Sequence, residues 1–226
     1  MQILTSLVLE DDAKERIGST GGILKEQLEI FFNQGRPETH DTERVVAGET
    51  LALLAFESEQ NCHWILKLNI VEKLVSSFEN RAFRKGSARI LSNLFACAGS
   101  DCFKQLKGVT AAATTLVLQA TMPEQNKLQE LMLGLATLVF RFMTPQKLSD
   151  VFKQTGVEEI NLAMKLVEIL QLNQYPSVMA PRIRRFTIEL IIWMTRSEQS
   201  HIYVFRELGM EQELENVMET TLEYNG

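Results

Sequence analysis

The stretch Gly18-Ser19-Thr20-Gly21-Gly22-Ile23-Leu24 decides the fold, because its last glycine and the isoleucine form a pair that recurs along the chain. In each copy, a Gly or Asn is followed at once by an apolar residue. The Gly or Asn lies at positions 22, 69, 108, 156 and 209, so the intervals are 47, 39, 48 and 53 residues. Irregular recurrence at roughly 40–47 residues is typical of stacked helical repeats. We therefore predict an array of helical units.

The Gly or Asn of each pair has a physical role. A residue that accepts a positive φ can end a short helix with a left-handed cap and turn the chain sharply. Apolar residues elsewhere keep the helical spacing, as at Leu51, Leu54 and Ala55. No alternating apolar and polar run indicates a strand. The sequence predicts an all-α fold with breaks near residues 35–37, 122–123, 144–145 and 173–181.

Two segments resemble the armadillo repeat. That repeat has a short first helix, a second helix opened by Gly-Gly-Ile and a third helix ending in Ala-Leu-x-Asn-Leu. The opening of this chain is similar: Ile3-Leu4-Thr5-Ser6-Leu7, Asp11-Asp12-Ala13-Lys14, Ile17, then Gly21-Gly22-Ile23-Leu24. Ala88-Arg89-Ile90-Leu91-Ser92-Asn93-Leu94 resembles the end of a third helix. The whole chain also resembles a group of poorly characterised plant armadillo-repeat proteins. The resemblance implies an armadillo-type α-solenoid, a right-handed superhelix of three-helix repeats.

We expect one armadillo-like domain over residues 1–226. Residues 1–10 read as the end of a truncated repeat, and repeats follow at about 11–58, 59–98, 99–143 and 144–197, with a partial repeat at 198–226. Terminal repeats normally carry a polar outer face, but apolar residues crowd this end of the chain: Ile3, Leu4, Leu7, Val8 and Leu9. We therefore expect the C-terminal part of a longer array, or a truncated form, with self-association through this end.

Composition excludes several classes of protein. Of the 226 residues, 45% are hydrophobic and 23% charged, which is ordinary for a folded domain. The net charge of −6 argues against a nucleic-acid partner, since phosphate neutralisation needs a basic surplus. The longest uncharged stretch, Gly108–Pro123, is 16 residues and too short to span a bilayer. Three cysteines without a disulfide pattern favour a reducing compartment. We expect a cytoplasmic protein, with the nucleus as an alternative and membrane association if the chain belongs to a longer protein.

The third helices carry the candidate partner-binding residues. In armadillo proteins that bind extended peptides, an Asn at the Asn-Leu position clamps the peptide backbone, because a carboxamide donates and accepts at once. The equivalent positions here are Ser6, Leu53, Asn93, Gly134 and Trp193. Of these, only Asn93 matches. Trp193 either anchors a partner in the groove or packs against a neighbouring repeat.

Basic residues recur at the start of the predicted third helices: Arg44, Arg84, Lys85, Lys127, Arg184 and Arg185. Cations are unfavourable in a first helical turn, so the recurrence suggests either an acidic partner or local pairing with acidic residues such as Glu79 and Glu124. A solvated face with local ion pairs is the simpler interpretation. The densest cluster, 182–185, could contact phosphate or an acidic peptide.

The sequence supports no metal site, no cofactor site and no catalytic site. Cys62, His63, Cys97 and Cys102 lack zinc-ligand spacing, and the three cysteines are expected to be buried thiols. No nucleophile elbow, phosphate-binding glycine loop or His-Glu-x-x-His motif occurs. Gly18–Gly22 lacks the Gly-Lys-Ser/Thr ending of a phosphate loop.

Stacked repeats build extended surfaces without a buried pocket. The expected function is therefore a non-catalytic protein–protein interaction scaffold that binds a protein of unknown identity through the concave face or an exposed repeat end. One alternative is the C-terminal regulatory module of a longer, membrane-associated armadillo protein. A third hypothesis is an enzyme or phospholipid-binding domain that uses residues 182–185.

Overall fold

The computed structural model describes Ser6, residues 9–33, 41–97, 126–141, 143–144, Asp150 and 158–225. Across these residues the regular structure is helical, without strands, which confirms the all-α class there. The helices are α1 (Asp11–Ser19), α2 (Gly22–Phe32), α3 (Asp41–Ala55), α4 (Glu59–Lys67), α5 (Val71–Ser76), a 3₁₀ turn (Ser77–Glu79), α6 (Arg81–Cys97), α7 (Asn126–Arg141), α8 (Glu159–Leu172), α9 (Ile183–Ser197), α10 (Ser200–Glu207) and α11 (Met210–Asn225).

The chain divides into two compact units, Met1–Val109 and Thr110–Gly226. Helices α1–α6 belong to unit 1 and α7–α11 to unit 2. The single domain over 1–226, with its repeat limits, stays a prediction. The apolar N-terminal residues Leu4 and Leu7, on which expected self-association rests, lie outside the described residues.

Unit 1 contains two successive sets of three helices, α1–α3 and α4–α6, in which the third helix is the longest. Helices of 9, 11 and 15 residues are followed by helices of 9, 6 and 17 residues. The third helices α3 and α6 pack on each other, as do the first helices α1 and α4. Leu51 on α3, Leu91 on α6 and Phe78 in the 3₁₀ turn are completely buried. Each such side chain contributes about 1.5–3 kcal/mol of burial free energy.

Side-chain caps begin two of the unit 1 helices. The Ser58 hydroxyl accepts a hydrogen bond from the Asn61 amide at 3.3 Å, before α4. The Asn80 carboxamide oxygen accepts from the Ala82 amide at 3.0 Å, where α6 begins. Both satisfy amides that the first helical turn leaves without a carbonyl.

The recurring Gly or Asn pairs coincide with left-handed turns where the structure describes them. Asn69, between α4 and α5, has φ 52°, and Gly209, between α10 and α11, has φ 78°, which confirms both predicted caps. At the first pair, the positive φ of 62° falls on Gly21, one residue before the predicted position, because Gly22 already begins α2. Gly108 and Gly156 lie outside the described residues.

Unit 2 is built around the packing of α7 on α9. Gly134 makes this close approach possible, since a Cβ there would lie 2.9 Å from Cε2 of Phe186. Helix α8 contacts α9, α10 and α11. The predicted break at 173–181 is confirmed, because α8 ends at Leu172 and α9 begins at Ile183.

Among the residues that the structure describes, no helix is both long enough and apolar enough to cross a membrane.

Candidate functional site

A cavity of about 710 Å³ lies in unit 1, where α2 and α5 end and α3 and α6 begin. We name it the α3–α6 cleft. Its walls combine aromatic rings, cations and short polar side chains, namely Phe32, Arg44, Lys73, Ser76, Ser77, Glu79, Asn80 and Phe83, with Phe31 beneath. Its volume falls within the range of about 300–1,000 Å³ that is usual for ligand sites.

Arg44 is the best-fixed polar group of the cleft. Its side chain is only 12% exposed, and the guanidinium carbon lies 3.7 Å from the centroid of the Phe83 ring. Its Nη1 lies 3.2 Å from Asp41 Oδ1, and its Nε donates to the Phe31 carbonyl at 3.3 Å. Stacking and hydrogen bonds together hold this cation in one orientation. Nη2 carries two further N–H donors, so Arg44 can present hydrogen bonds to a ligand without rearrangement.

An aromatic cluster supports the cleft from below. Phe31 is 1% exposed and packs edge-on against Phe32 and Phe83, at centroid distances of 5.0 and 5.8 Å. Such pairs contribute about 0.5–1.5 kcal/mol beyond area burial. The position of Arg44 therefore depends on rings from both α2 and α6.

The other basic residues predicted in unit 1 bind protein groups. Arg84 Nε donates to the Phe78 carbonyl at 2.8 Å, and Lys85 Nζ lies 3.9 Å from Glu49 Oε1. Lys85 lines a smaller cavity of about 70 Å³ between α3 and α6. Among the predicted cations, Arg44 pairs with Asp41 and Lys85 pairs with Glu49. Glu79, the partner suggested by the sequence, lines the cleft instead. Arg44 and Lys85 therefore make local ion pairs, as in the simpler of the two sequence interpretations, whereas Arg84 binds a backbone carbonyl.

Asn93 and Trp193 lie in different units. The Asn93 carboxamide nitrogen donates to the Ala52 carbonyl at 2.7 Å and thereby joins α6 to α3. The Trp193 ring is half-buried, with the Arg196 guanidinium 5.9 Å from its centroid. The predicted clamp residue therefore already makes a hydrogen bond within the protein.

The basic cluster at residues 182–185 is also engaged within unit 2. Arg184 donates through Nη1 to the Gln174 carbonyl at 2.7 Å and the Thr220 hydroxyl at 2.8 Å, and through Nη2 to the Thr221 hydroxyl at 2.6 Å. Partial burial lowers the pKa of Arg184 from its ordinary value. Arg185 lies 2.7 Å from Glu189 within the same helix. Lys127, at the start of α7, is exposed.

Sequence reasoning missed a second polar cluster, formed in unit 2 by Glu159, Glu198 and His201. His201 is only 4% exposed, and its Nε2 lies 2.8 Å from Glu159 Oε2. The sequence contains one related signal, a repeated string that includes Glu198. Ser-Glu-Gln occurs at 58–60 and again at 197–199, each time where a short helix begins. The partnership with Glu159 comes from another helix and could not be read from the sequence.

The two described cysteines are free thiols, and Cys102 lies outside the described residues. Cys62 Sγ is 3.1 Å from the Ala55 carbonyl oxygen, and Cys97 Sγ is 3.8 Å from the same oxygen.

No protein-family model matches this chain. No curated protein matches it either. Its fold is similar to the crystal structure of an engineered protein, a Northeast Structural Genomics Consortium target, with a TM-score of 0.64 and 14% sequence identity. The match covers 96% of this chain and 86% of that chain. At that identity, the likeness concerns the fold alone.

Proposed function

We propose that this chain is a non-catalytic, armadillo-type α-solenoid that binds a protein partner on the surface of α3 and α6. The α3–α6 cleft takes an acidic side chain of that partner. The observation that carries the proposal is the fixed guanidinium of Arg44 in a cavity of about 710 Å³.

The packing of the helices supports the architectural part of the proposal. Predicted third helices pack on each other within each unit, α3 on α6 and α7 on α9. First helices do the same at α1 and α4. Stacking of equivalent helices is what a solenoid requires, because each repeat buries its apolar face only against its neighbours.

The chemistry of the cleft supports a peptide ligand. Small-molecule sites are mainly apolar, whereas here hydroxyls and a carboxamide lie beside the three phenylalanines. The Ser76 hydroxyl donates to the Glu72 carbonyl and leaves its oxygen as an acceptor, while the Asn80 oxygen caps α6 and leaves the amide N–H groups as donors. Together the two residues offer one acceptor and one donor group, which suits a peptide main chain. The smaller cavity beside Lys85 extends the binding surface along α3 and α6.

The arrangement of the cations in the cleft favours an acidic side chain. Two cations, Arg44 and Lys73, and one anion, Glu79, line it, and Asp41 pairs with Arg44 Nη1 at 3.2 Å, so the preference rests on the remaining Nη2 donors of Arg44 and not on net charge. Arg44 is pre-oriented by Phe83, so a carboxylate gains a charge-assisted hydrogen bond at little entropic cost. Lys73 is exposed and adds attraction at the rim.

The test measures anisotropy of a short fluorescent peptide rich in Asp and Glu, and of its Asn and Gln counterpart. We expect the acidic peptide to bind more tightly and to lose affinity as salt rises. Replacing Lys73 by Glu turns an attraction into a repulsion, so Kd should rise about 5- to 10-fold.

The matched control is Lys25→Glu, which makes the same charge change on α2. Its side chain is 70% exposed, pairs with Glu29 and does not line the cleft. Equal losses in the two variants, or equal binding of the acidic and amide peptides, would refute the assignment of the cleft.

A further inference from the structure

We propose that Glu159, Glu198 and His201 form a binding site for a divalent transition-metal cation, with Zn²⁺ as the best match. Glu159 begins α8, Glu198 follows the end of α9, and His201 lies in the first turn of α10. One ligand atom from each residue lies within 4.8 Å of the other two. This site is independent of the α3–α6 cleft and of the function proposed for it.

The tautomer of His201 is set by the end of α9. Its Nδ1 lies 2.9 Å from the Met194 carbonyl oxygen, which can only accept, so Nδ1 carries the hydrogen. In the neutral ring, Nε2 then has a lone pair directed toward Glu159. Metal-bound histidines commonly donate their other ring N–H to a backbone carbonyl in this way.

The Nε2 atom faces another acceptor at short range. Glu159 Oε2 lies 2.8 Å away, and two lone pairs at that distance repel unless a proton or a metal cation lies between them. Zinc binds imidazole nitrogen and carboxylate oxygen at about 2.0–2.2 Å, which separates two ligands by about 3.0–3.4 Å at ordinary angles. A shift of a few tenths of an ångström, about 0.2–0.6 Å, would therefore place this pair around zinc.

Glu198 supplies the third ligand. It is exposed, so its carboxylate can move toward the pair without disturbing the core. The His201 amide donates to the Glu198 carbonyl at 3.2 Å, which keeps the two residues on one turn. Three protein ligands with an open fourth position are the pattern of accessible zinc sites. Two carboxylates and a neutral imidazole carry charge −2, which a divalent cation balances.

The competing occupant is a proton on Nε2, which would make His201 an imidazolium paired with Glu159. That arrangement does not need Glu198, whereas a metal site does. The dependence on Glu198 therefore separates the two possibilities.

The experiment titrates the chelator-stripped full chain with Zn²⁺ at neutral pH by calorimetry, and with Co²⁺ by visible absorption. We expect one equivalent to bind, and no thiolate charge-transfer band with Co²⁺ because the ligands are nitrogen and oxygen. Glu198→Gln leaves the buried residues in place and should weaken binding by about 100-fold, since even outer-shell changes cost about 10–100-fold. His201→Gln should abolish it.

His63→Gln is the matched control, because His63 is exposed on α4 and should leave the Zn²⁺ affinity unchanged. NMR of the His201 ring provides a readout independent of fold stability: Nε2 should lose any proton and shift when Zn²⁺ is added. Absence of saturable binding, binding that survives Glu198→Gln unchanged, or an Nε2 proton that persists at saturating Zn²⁺ would each overturn the proposal.

Discussion

At the scale of single residues, two glycines of unit 1 lie against the same aromatic ring at different distances. Gly48 on α3 and Gly86 on α6 both face the ring of Phe31, which is 1% exposed. A Cβ at position 48 would lie 2.5 Å from Phe31 Cε2, whereas one at position 86 would lie 3.4 Å from the same atom. The first distance is a clash with a buried ring, and the second is an ordinary contact.

The substitution Gly48→Ala should therefore destabilise the protein. Alanine favours a helix interior by about 1 kcal/mol over glycine, but overpacking costs about 1–3 kcal/mol. Because Phe31 also supports Phe83 and Arg44, we expect a net loss of about 1–2 kcal/mol. Equilibrium urea unfolding measures it as a lower midpoint.

The paired variant is Gly86→Ala, which makes the same change against the same ring without the clash. Its unfolding midpoint should equal or exceed that of the unchanged protein, by up to about 1 kcal/mol. If both variants gained stability, the close packing of α3 on Phe31 would be wrong.

At the scale of helices, a side chain near the start of a short helix contacts a backbone carbonyl in the last turn of the long helix before it. Asn61 Nδ2 donates to the Leu54 carbonyl at 2.8 Å, and His201 Nδ1 lies 2.9 Å from the Met194 carbonyl, in each case seven residues earlier. These carbonyls lie in the last turns of α3 and α9, where helices run out of intrahelical donors, and the Met194 carbonyl also accepts from the Glu198 amide and the Ser197 hydroxyl. The same backbone need is met by different side chains, which is why the equivalence is hard to see in the sequence.

Arg184 should hold the last helix against α9. Its guanidinium joins the Gln174 carbonyl to the hydroxyls of Thr220 and Thr221 on α11. Hydrogen bonds from charged donors contribute about 1.5–3 kcal/mol in favourable cases, and partial exposure reduces this. We expect Arg184→Ala to lower the free energy of unfolding by about 1–2 kcal/mol and to speed hydrogen exchange in α11.

Arg185→Ala is the comparison for this prediction. Arg185 is 70% exposed and pairs with Glu189 on its own helix, so its loss should cost about 0.5 kcal/mol or less. Equal exchange of α11 in the two variants would show that Arg184 does not fasten the helix.

At the scale of the whole molecule, the division into Met1–Val109 and Thr110–Gly226 predicts local unfolding of each unit. Leu51 in unit 1 and Leu190 in unit 2 are completely buried. Truncating either leucine to alanine should lower the free energy of unfolding by about 2–5 kcal/mol, because a cavity is left behind. We expect Leu51→Ala to raise hydrogen exchange mainly in α1–α6, and Leu190→Ala mainly in α7–α11.

Hydrogen-exchange mass spectrometry on the full chain measures both effects. Leu190→Ala serves as the control for Leu51→Ala, because the chemical change is the same and only the unit differs. A uniform rise across α1–α11 in either variant would instead favour one cooperative domain over residues 1–226, as the repeat pattern predicts.

The sequence by itself determined the helical class and several of its turns. The spacing of apolar residues indicated helices, and Asn69 and Gly209 were identifiable as left-handed caps because few residues tolerate a positive φ. These features depend on neighbours along the chain. The shift of the first cap to Gly21 depends on where α2 begins, so the sequence pattern missed it by one residue.

Only the tertiary structure decided what the polar residues bind. Asn93 matched a peptide-clamping position, yet its carboxamide binds Ala52 on another helix. The stacking of Arg44 on Phe83, and the meeting of His201 with Glu159, join residues 39 and 42 positions apart. Hydrogen bonds and ion pairs require atoms within a few ångströms, about 3–4 Å. Spacing along the chain does not specify those distances until the helices have packed.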